Sequence, residues 1–430
     1  MYGLWHLGTV TAACLAQDTD VIAVDADLAL VNSLARGEPP VDEPGLDELI
    51  QSGLATERLR FGNDIHAALE PADILWVTFD TPVDDDDRPD VDWLRNQLAA
   101  ARPFVRSNTL VVLSTQVPAG FSRRLEREWR TTDPSLQFAY IPENLRLGDA
   151  IQRFRHPDFL VVGLGQGASR ERLTELVDPF ATRIHWMSLE SAEMSKHALN
   201  GFLAVSATYA NELARVCEAV GADAHDVENA LRADPRVGRR AYVAPGGPIA
   251  GGTLGRDINV LRSLARENGV GVPVLDAVPS SNATHQAWVE ARIHMLLMLL
   301  TDAPAPRVAL LGLTYKTGTN TLRRSFAVQL ARRLIDRGME VRAFDPAIHA
   351  IPAETGIYLA PSLESALDGA DVAVLMTPWP EFKGLQATDF VGHMRHPRVV
   401  DQTGFLAHID RSAGLTYVRL GQPRPGSDVR

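Results

Sequence analysis

Residues 3–25, GLWHLGTVTAACLAQDTDVIAVD, carry the first sign of an α/β fold. Gly3 and Gly8 precede an apolar run with helical spacing, and a short run of valine and isoleucine then ends at Asp25. A glycine turn, a helix and an acid-terminated strand, in this order, are typical of the first half of a dinucleotide-binding α/β domain. Because a carboxylate at that strand end can accept a hydrogen bond from a ribose 2′-hydroxyl, the stretch predicts an NAD site at Gly3, Gly8 and Asp25.

Two features of this stretch depart from the pattern. Trp5 stands where the fingerprint has its second glycine, which lets the backbone approach a pyrophosphate. Only Met1 and Tyr2 precede Gly3, although the strand that enters such a turn is central in the sheet. We therefore expect a truncated first strand, which codons upstream of Met1 would restore.

Outward from this stretch, the α/β pattern continues and returns near the C-terminus. Buried parallel strands are predicted at 20–25, 73–80, 109–115, 136–142, 158–163, 307–313, 339–345, 371–377 and 398–402. From 189 to 221 apolar residues recur at helical spacing, which predicts one long helix. The expected fold is two doubly wound Rossmann-like α/β domains, 1–186 and 301–430, joined by a helical and dimerising domain, 187–300.

Composition excludes several classes of function. The net charge is −12, which argues against nucleic-acid or membrane partners, since both need a basic face. No apolar run approaches the ~20 residues of a membrane span, and no secretory signal opens the chain, so a cytoplasmic location is expected. Cys14 and Cys217 lie in apolar helical patterns and are predicted to be buried. Cysteine and histidine spacings typical of a metal site are missing, so no metal is expected.

Seven further segments, in the same order along the chain, resemble motifs of the UDP-glucose/GDP-mannose dehydrogenase family. They are GEPPVDEPGLDELI (37–50), TFDTPVD (78–84), STQVPAG (114–120), PENLRLGDAI (142–151), AEMSKHALNGFLA (192–204), DPRVG (234–238) and LGLTYKTGTNTLRRS (311–325). The resemblance implies an NAD-dependent oxidoreductase, a homodimer, that acts on the primary alcohol of a nucleotide sugar. The segment 142–146 is closer to the UDP-glucose branch of the family than to the N-acetylmannosamine branch.

The chemistry can also be inferred directly from four residues. Lys196 and Asn200 are four apart on the predicted long helix and therefore share one face. A lysine and an amide on one face suit an oxygen that gains negative charge as a hydride leaves. Glu143 follows a strand end and can act as a base or position a water, and Thr115 can position a water or a hydroxyl.

The resemblance assigns roles to the remaining candidates. It implies catalytic roles for Thr115, Glu143, Lys196, Asn200, Thr253 and Asp257, and cofactor contacts from Thr81, Thr115 and Arg323. It implies substrate contacts from Asn144, Leu145, Arg146, Lys196, Asn200, Arg236, Gly251, Gly252 and Lys316, with Arg236 reaching across a dimer.

One loop breaks the family pattern. The family sequence P-G-x-G-x-G-G-S-C-F-P-K-D provides a water-activating aspartate and a cysteine that attacks the aldehyde intermediate. Here the loop is PGGPIAGGTLGRD (245–257), and Thr253 stands at the cysteine position when counted back from Asp257. Since a threonine hydroxyl is far less acidic than a thiol, we expect oxidation to reach the aldehyde and to stop or slow there. Asn144 replaces a family phenylalanine, and Gln402-Thr403 replace a frequent arginine that contacts the nucleotide.

Two other functions stay open. A bound NAD that returned its hydride would make the chain an epimerase or another isomerase of nucleotide sugars. Trp5 and Thr253 favour a non-catalytic protein that binds NAD or a nucleotide sugar. The set of Lys196, Asn200, Glu143 and Asp257 argues against that last function, because a pure binding protein does not need it.

Overall fold

The structure is a computed structural model of the chain. It describes residues 1–84, 89–143, 145–181, 183–250, 252–300, 305–409 and 414–423. The chain divides into two compact units, Met1–Leu199 and Asn200–Arg430. The division falls inside the long helix, and the three-domain division stays a prediction.

The first unit alternates short strands with helices. Its elements are α1 His6–Leu15, β1 Val21–Val24, α2 Leu28–Ala35, α3 Leu46–Ala55, β2 Leu59–Gly62, α4 Ile65–Leu69, β3 Ile74–Val77, α5 Val91–Ala101, β4 Leu110–Leu113, α6 Phe121–Thr132, β5 Gln137–Tyr140, α7 Ala150–Arg155, β6 Leu160–Leu164, α8 Arg170–Val177 and β7 Ile184–Ser188.

Helix α9, Leu189–Val220, begins in the first unit and continues into the second. The second unit adds α10 Ala224–Ala233, α11 Thr253–Glu267, α12 Pro273–Leu297, β8 Arg307–Leu311, α13 Phe326–Asp336, β9 Glu340–Phe344, β10 Tyr358–Leu359, α14 Leu363–Leu367, β11 Val372–Leu375, α15 Ala387–His393, β12 Arg398–Asp401 and β13 Thr416–Arg419.

Tyr2 occupies the place of the central strand in the first unit. Strands β3 to β7 form one sheet in chain order, and β1 pairs with β2. Tyr2 forms parallel bridges to Val24 on one side and to Val77 on the other. Its backbone N–H donates to the Trp76 carbonyl at 2.8 Å, and the Gly3 N–H donates to the Val24 carbonyl at 3.0 Å. The order β2-β1-Tyr2-β3-β4-β5 is therefore that of a dinucleotide-binding domain.

The second unit carries a parallel sheet of the same kind. Its order is β10-β9-β8-β11-β12-β13, so the strand order reverses between β8 and β11. Strands β8 and β11 are buried along almost their whole length and pair in parallel register. The two sheets and the 32-residue helix α9 confirm the predicted fold class.

All nine predicted strands are present, but one was assigned the wrong direction. Strand β6 pairs antiparallel with β5, with Tyr140 opposite Gly163. For β6 to run parallel to β5, the connection between them would have to carry the chain back to the opposite end of the sheet. The intervening α7 has six residues and spans only about 9 Å, at 1.5 Å rise per residue, so the chain turns back at the same edge.

Both cysteines are buried, as predicted. Cys14 is part of α1 and packs in the core of the first unit, and Cys217 is part of α9 and packs in the core of the second unit. Within the described ranges, no helix is long and apolar enough to cross a membrane.

Candidate functional site

Asp25 holds the first turn of the dinucleotide fingerprint in place. Its carboxylate accepts from the Leu4 N–H at 2.8 Å and from the Asp27 N–H at 3.0 Å. Gly3 has a φ of +97°, and a Cβ at Gly8 would lie 1.8 Å from the Gly3 carbonyl oxygen. The turn therefore requires both predicted glycines. Because a carboxylate has about four acceptor positions and two are used here, half-buried Asp25 keeps capacity for a ribose hydroxyl.

The N-terminus of α1 fits the pyrophosphate of a dinucleotide. Trp5 is its N-cap, and no side chain caps the helix. The uncapped N–H groups of a first helical turn attract anions. Trp5 has φ −66° and ψ −163°, a backbone that any residue adopts, and its side chain is 50% exposed. The tryptophan therefore leaves the turn undistorted.

Two threonine hydroxyls meet at the carboxyl ends of β3 and β4. The Thr115 hydroxyl donates to the Phe79 carbonyl at 2.6 Å, and the Thr81 and Thr115 oxygens are 2.9 Å apart. Both side chains are buried. The pair fixes the two strand ends relative to each other, and its role toward the cofactor stays a prediction.

Lys196 and Glu143 come together within the first unit. The Lys196 ammonium donates to the Glu143 backbone carbonyl and lies 3.5 Å from the Glu143 carboxylate. The lysine side chain is 10% exposed, so the ammonium is largely withdrawn from water. Leu145 packs against the core, and Arg146 is exposed. The candidate Asn144 lies outside the described residues.

Sequence reasoning missed the carboxylate that positions Lys196. Glu193 is buried on α9, one turn before the lysine. It accepts from the Gly120 N–H at 2.5 Å and from the Ser122 N–H at 2.7 Å, at the start of α6. Burial raises the pKa of the Glu193 carboxyl, and these N–H groups oppose the rise. On the same helix, the buried His197 ring bonds the Val117 carbonyl at 2.9 Å.

A second missed carboxylate joins the dinucleotide turn to the segment after Glu143. Glu43 is buried and accepts from the Gly148 and Ala150 N–H groups, each at 2.7 Å. Its other contact is the His6 ring, at 3.2 Å. The acid in the EPGL segment was visible in the sequence, but its backbone partners were not.

In the second unit, Asn200 and Asp257 form a buried pair. The Asn200 amide donates to the Asp257 carboxylate at 2.5 Å. Thr253 is the exposed first residue of α11, four residues before Asp257, and Gly252 is the N-cap. The candidate Gly251 lies outside the described residues.

Three further side chains, also missed, clamp the glycine loop 245–250. Asn211 on α9 accepts from the Gly246 N–H at 2.8 Å and donates to the Gly247 carbonyl at 3.3 Å. Asn282 on α12 exchanges two bonds with the Ile249 backbone, at 2.7 and 3.0 Å. The His285 ring bonds the Gly246 carbonyl at 2.7 Å.

His285 acts in this clamp as a neutral ring. Burial lowers the pKa of its imidazole to about 4, and nearby Arg215 adds to that effect. Arg215 donates to Nδ1 at 3.0 Å, so Nε2 carries the proton that is donated to the Gly246 carbonyl. The ring therefore bonds the loop without a change of charge across the physiological pH range.

The remaining candidates lie at the surface. Arg236 is 89% exposed at its side chain and pairs with Asp234 at 2.7 Å. Lys316 and Arg323 are exposed, and the Lys316 ammonium lies 5.6 Å from the centre of the Tyr315 ring. In the described parts of the chain, no group of histidines, cysteines and acids could hold a metal ion.

Comparison with known proteins gives matches over almost the whole chain. The UDP-glucose/GDP-mannose dehydrogenase family profile for the NAD binding domain matches residues 1–181. The profile for the central domain matches 190–284, and that for the UDP binding domain matches 309–408.

Individual relatives agree with these profiles. A UDP-glucose 6-dehydrogenase of Pseudomonas aeruginosa is 31% identical over 446 residues, covering 99% of this chain and 97% of that protein. One from Rhizobium meliloti is 30% identical, with 98% and 99% covered. The solved UDP-glucose dehydrogenase of Pyrobaculum islandicum superposes with a TM-score of 0.84 at 25% identity, covering 98% of this chain and 96% of that one.

The fingerprint turn, the Lys196–Glu143 pair and the Asn200–Asp257 pair thus lie in segments that these profiles cover. The resemblance noted in the sequence is confirmed, and NAD is the cofactor. This chain belongs to the UDP-glucose/GDP-mannose dehydrogenase family and is an NAD-dependent oxidoreductase that acts on a CH–OH group.

Proposed function

We propose that the chain oxidises the primary alcohol of a UDP-sugar, with UDP-glucose as the first substrate to test, and releases mainly the aldehyde. The observation that carries this proposal is Thr253, exposed at the first residue of α11 and one turn before the buried Asp257. Both cysteines are buried in other helices, so neither substitutes for a thiol at that position.

The first oxidation needs charge stabilisation and a proton acceptor. The alcohol loses its proton and its C–H hydride and becomes an aldehyde; NAD would supply the hydride acceptor when bound. Lys196 uses one N–H on the Glu143 carbonyl and lies 3.5 Å from the Glu143 carboxylate, which leaves an N–H for the substrate oxygen as it gains charge. Asn200 holds the Asp257 carboxylate, which binds the water that accepts the proton.

The second oxidation is where the chain differs from the family pattern. A thiolate forms a thiohemiacetal with the aldehyde, and that adduct gives up the second hydride. The first turn of a helix lowers the pKa of a thiol, so position 253 would suit a cysteine. The Thr253 hydroxyl lacks that acidity. The second hydride could then come only from the aldehyde hydrate, which is not covalently bound to the protein, and this oxidation should be slow.

The remaining site residues keep the roles that the resemblance implies. We assign Gly3, Gly8, Asp25, Thr81, Thr115 and Arg323 to the cofactor, and Asn144, Leu145, Arg146, Arg236, Gly251, Gly252 and Lys316 to the substrate. A cytoplasmic location stays a prediction.

We also propose a homodimer that buries one face of α9. Exposed apolar side chains recur along this helix at spacings of three, four and seven residues: Leu199, Phe202, Tyr209, Val216 and Val220. Such a stripe is typical of a helix–helix seam. Arg236, which is 89% exposed at its side chain, would then reach a partner's substrate. A monomer in sedimentation equilibrium at micromolar concentration would contradict the proposal.

Asp25 should select NAD over NADP. Its carboxylate accepts from a ribose 2′-hydroxyl and repels a 2′-phosphate, an effect of about 1.5–3 kcal/mol or roughly tenfold to a hundredfold in affinity. In Asp25→Asn, which keeps an acceptor for the Leu4 N–H, calorimetry should show most of this preference lost. Exposed Asp92→Asn is the control. Equal binding of NAD and NADP by the wild type would refute the assignment.

Lys196 should be needed for hydride transfer and not for folding. We expect Lys196→Met to lower kcat by about 100-fold or more, because an ammonium that stabilises developing charge contributes a few kcal/mol. The affinity for NAD and the thermal midpoint should change little. Lys383→Met, at an exposed lysine, should be fully active. If Lys196→Met keeps most of its activity, the lysine has no part in hydride transfer.

The residue at position 253 should determine how many hydrides each sugar transfers to NAD. With limiting UDP-glucose and hydroxylamine to trap free aldehyde, we expect about one NADH from the wild type and from Thr253→Ser. Thr253→Cys should move the yield towards two. The readout is NADH absorbance together with mass spectrometry of the sugar product.

Three other outcomes point elsewhere. Two NADH at a normal rate from the wild type, without trapped aldehyde, would show that Thr253 or water replaces the thiol. An altered sugar with no net NADH would indicate the isomerase. Binding without turnover of any UDP-, GDP- or CDP-sugar would indicate the non-catalytic protein.

A further inference from the structure

Gln402 carries a buried carbonyl oxygen that lacks a hydrogen bond. The side chain follows β12 and is 2% exposed. Its amide nitrogen donates to the Met376 carbonyl at 3.2 Å, at the end of β11. Its Oε1 is buried and has no hydrogen-bond partner among the residues that the structure describes. Exchanging oxygen and nitrogen would place two acceptors face to face, so the Met376 carbonyl fixes the orientation.

The neighbouring polar group is, by contrast, fully bonded. Asp401, one residue earlier, accepts from the Thr403, Gly404 and Leu406 N–H groups and from the Tyr417 hydroxyl. A buried acceptor without a donor costs about 1–3 kcal/mol, and such atoms are rare in folded proteins. The Gln402 acceptor is therefore available for a hydrogen bond from a ligand.

The position of Gln402 fits that of a ligand contact. It lies at the carboxyl ends of neighbouring parallel strands in the second unit, where α/β sheets bind their ligands. A Cβ built on Gly247 would lie 3.4 Å from the Gln402 amide carbon and 3.5 Å from Oε1. The carboxamide therefore faces the glycine loop 245–250, whose backbone is fixed by Asn211 and His285.

We propose that the Gln402 carbonyl is a substrate-selecting acceptor, which takes a hydrogen bond from a neutral N–H or O–H group of the bound nucleotide sugar. The proposal rests on the proposed function, since it needs a nucleotide sugar in the second unit. A phosphate oxygen does not fit, because it offers no proton and would repel the carbonyl. The donor is then an N–H of the base or a hydroxyl of the sugar.

Calorimetry without NAD tests this, because no turnover occurs. The probes are UDP-glucose, its N3-methyluracil analogue, which lacks the base donor, and deoxy analogues, each of which lacks one sugar hydroxyl. We expect the wild type to bind one analogue about tenfold more weakly than UDP-glucose, the equivalent of one hydrogen bond. Gln402→Met, of similar shape, should bind UDP-glucose about tenfold more weakly and should not discriminate against that analogue. Gln329→Met, at an exposed glutamine, should behave like the wild type.

The outcomes separate the two proposals. If Gln402→Met discriminates among the analogues as the wild type does, the inference is wrong while the proposed function stands. If the wild type binds UDP-glucose and all analogues equally, the inference is also wrong. This measurement uses only the wild type, so it does not depend on whether Gln402→Met folds. If the wild type binds no nucleotide sugar, the proposed function fails and the inference fails with it.

Discussion

The buried carboxylate of Glu193 fixes the start of α9, and the position of Lys196, the proposed catalytic lysine, depends on that anchor. The Glu193 carboxylate accepts hydrogen bonds from the N–H groups of Gly120 and Ser122, which lie at the start of α6, the helix that follows β4. Lys196 is three residues further along α9, where its ammonium reaches the Glu143 carbonyl after β5. The first turns of α9, held by Glu193, thus carry the charge that the proposed hydride transfer needs.

In each unit, a carboxylate at the end of a strand holds the neighbouring glycine turn in place. Asp25 in the first unit and Asp345 in the second each end a strand and accept from the backbone of the glycine turn beside them. Asp345 is also bonded by the Trp379 indole and is almost fully buried, whereas Asp25 stays half-exposed. Only the first turn therefore leaves a carboxylate for a ribose, in agreement with the NAD-binding profile of the first unit.

The sequence predicted the strands at the centre of each sheet and missed those at the edges. Each of the four missed strands is the outermost strand in its set of paired strands: β2, β7, β10 and β13. They are only partly buried, so they lack the continuous apolar runs of β4 or β11. The direction of β6 was wrong because it depends on where the preceding helix stops, which composition does not show.

The site was predictable where its residues carry a motif. Pairs such as Lys196 with Glu143 and Asn200 with Asp257 come from segments that resemble the family. Glu43, Asn211 and His285 were missed because their partners are backbone groups distant in sequence. The empty Gln402 acceptor was beyond sequence reasoning, since a missing bond is visible only once all neighbours are placed.

In the proposed reaction one hydride leaves the sugar and a second stays behind. Labelling both hydrogens of the primary alcohol carbon with deuterium would follow each of them. We expect one deuterium on the reduced nicotinamide for every sugar converted, and an aldehyde product that keeps the other. An acid without deuterium at this carbon, together with two labelled nicotinamides per sugar, would contradict the proposed function. A sugar that regained both deuterium atoms would also contradict it.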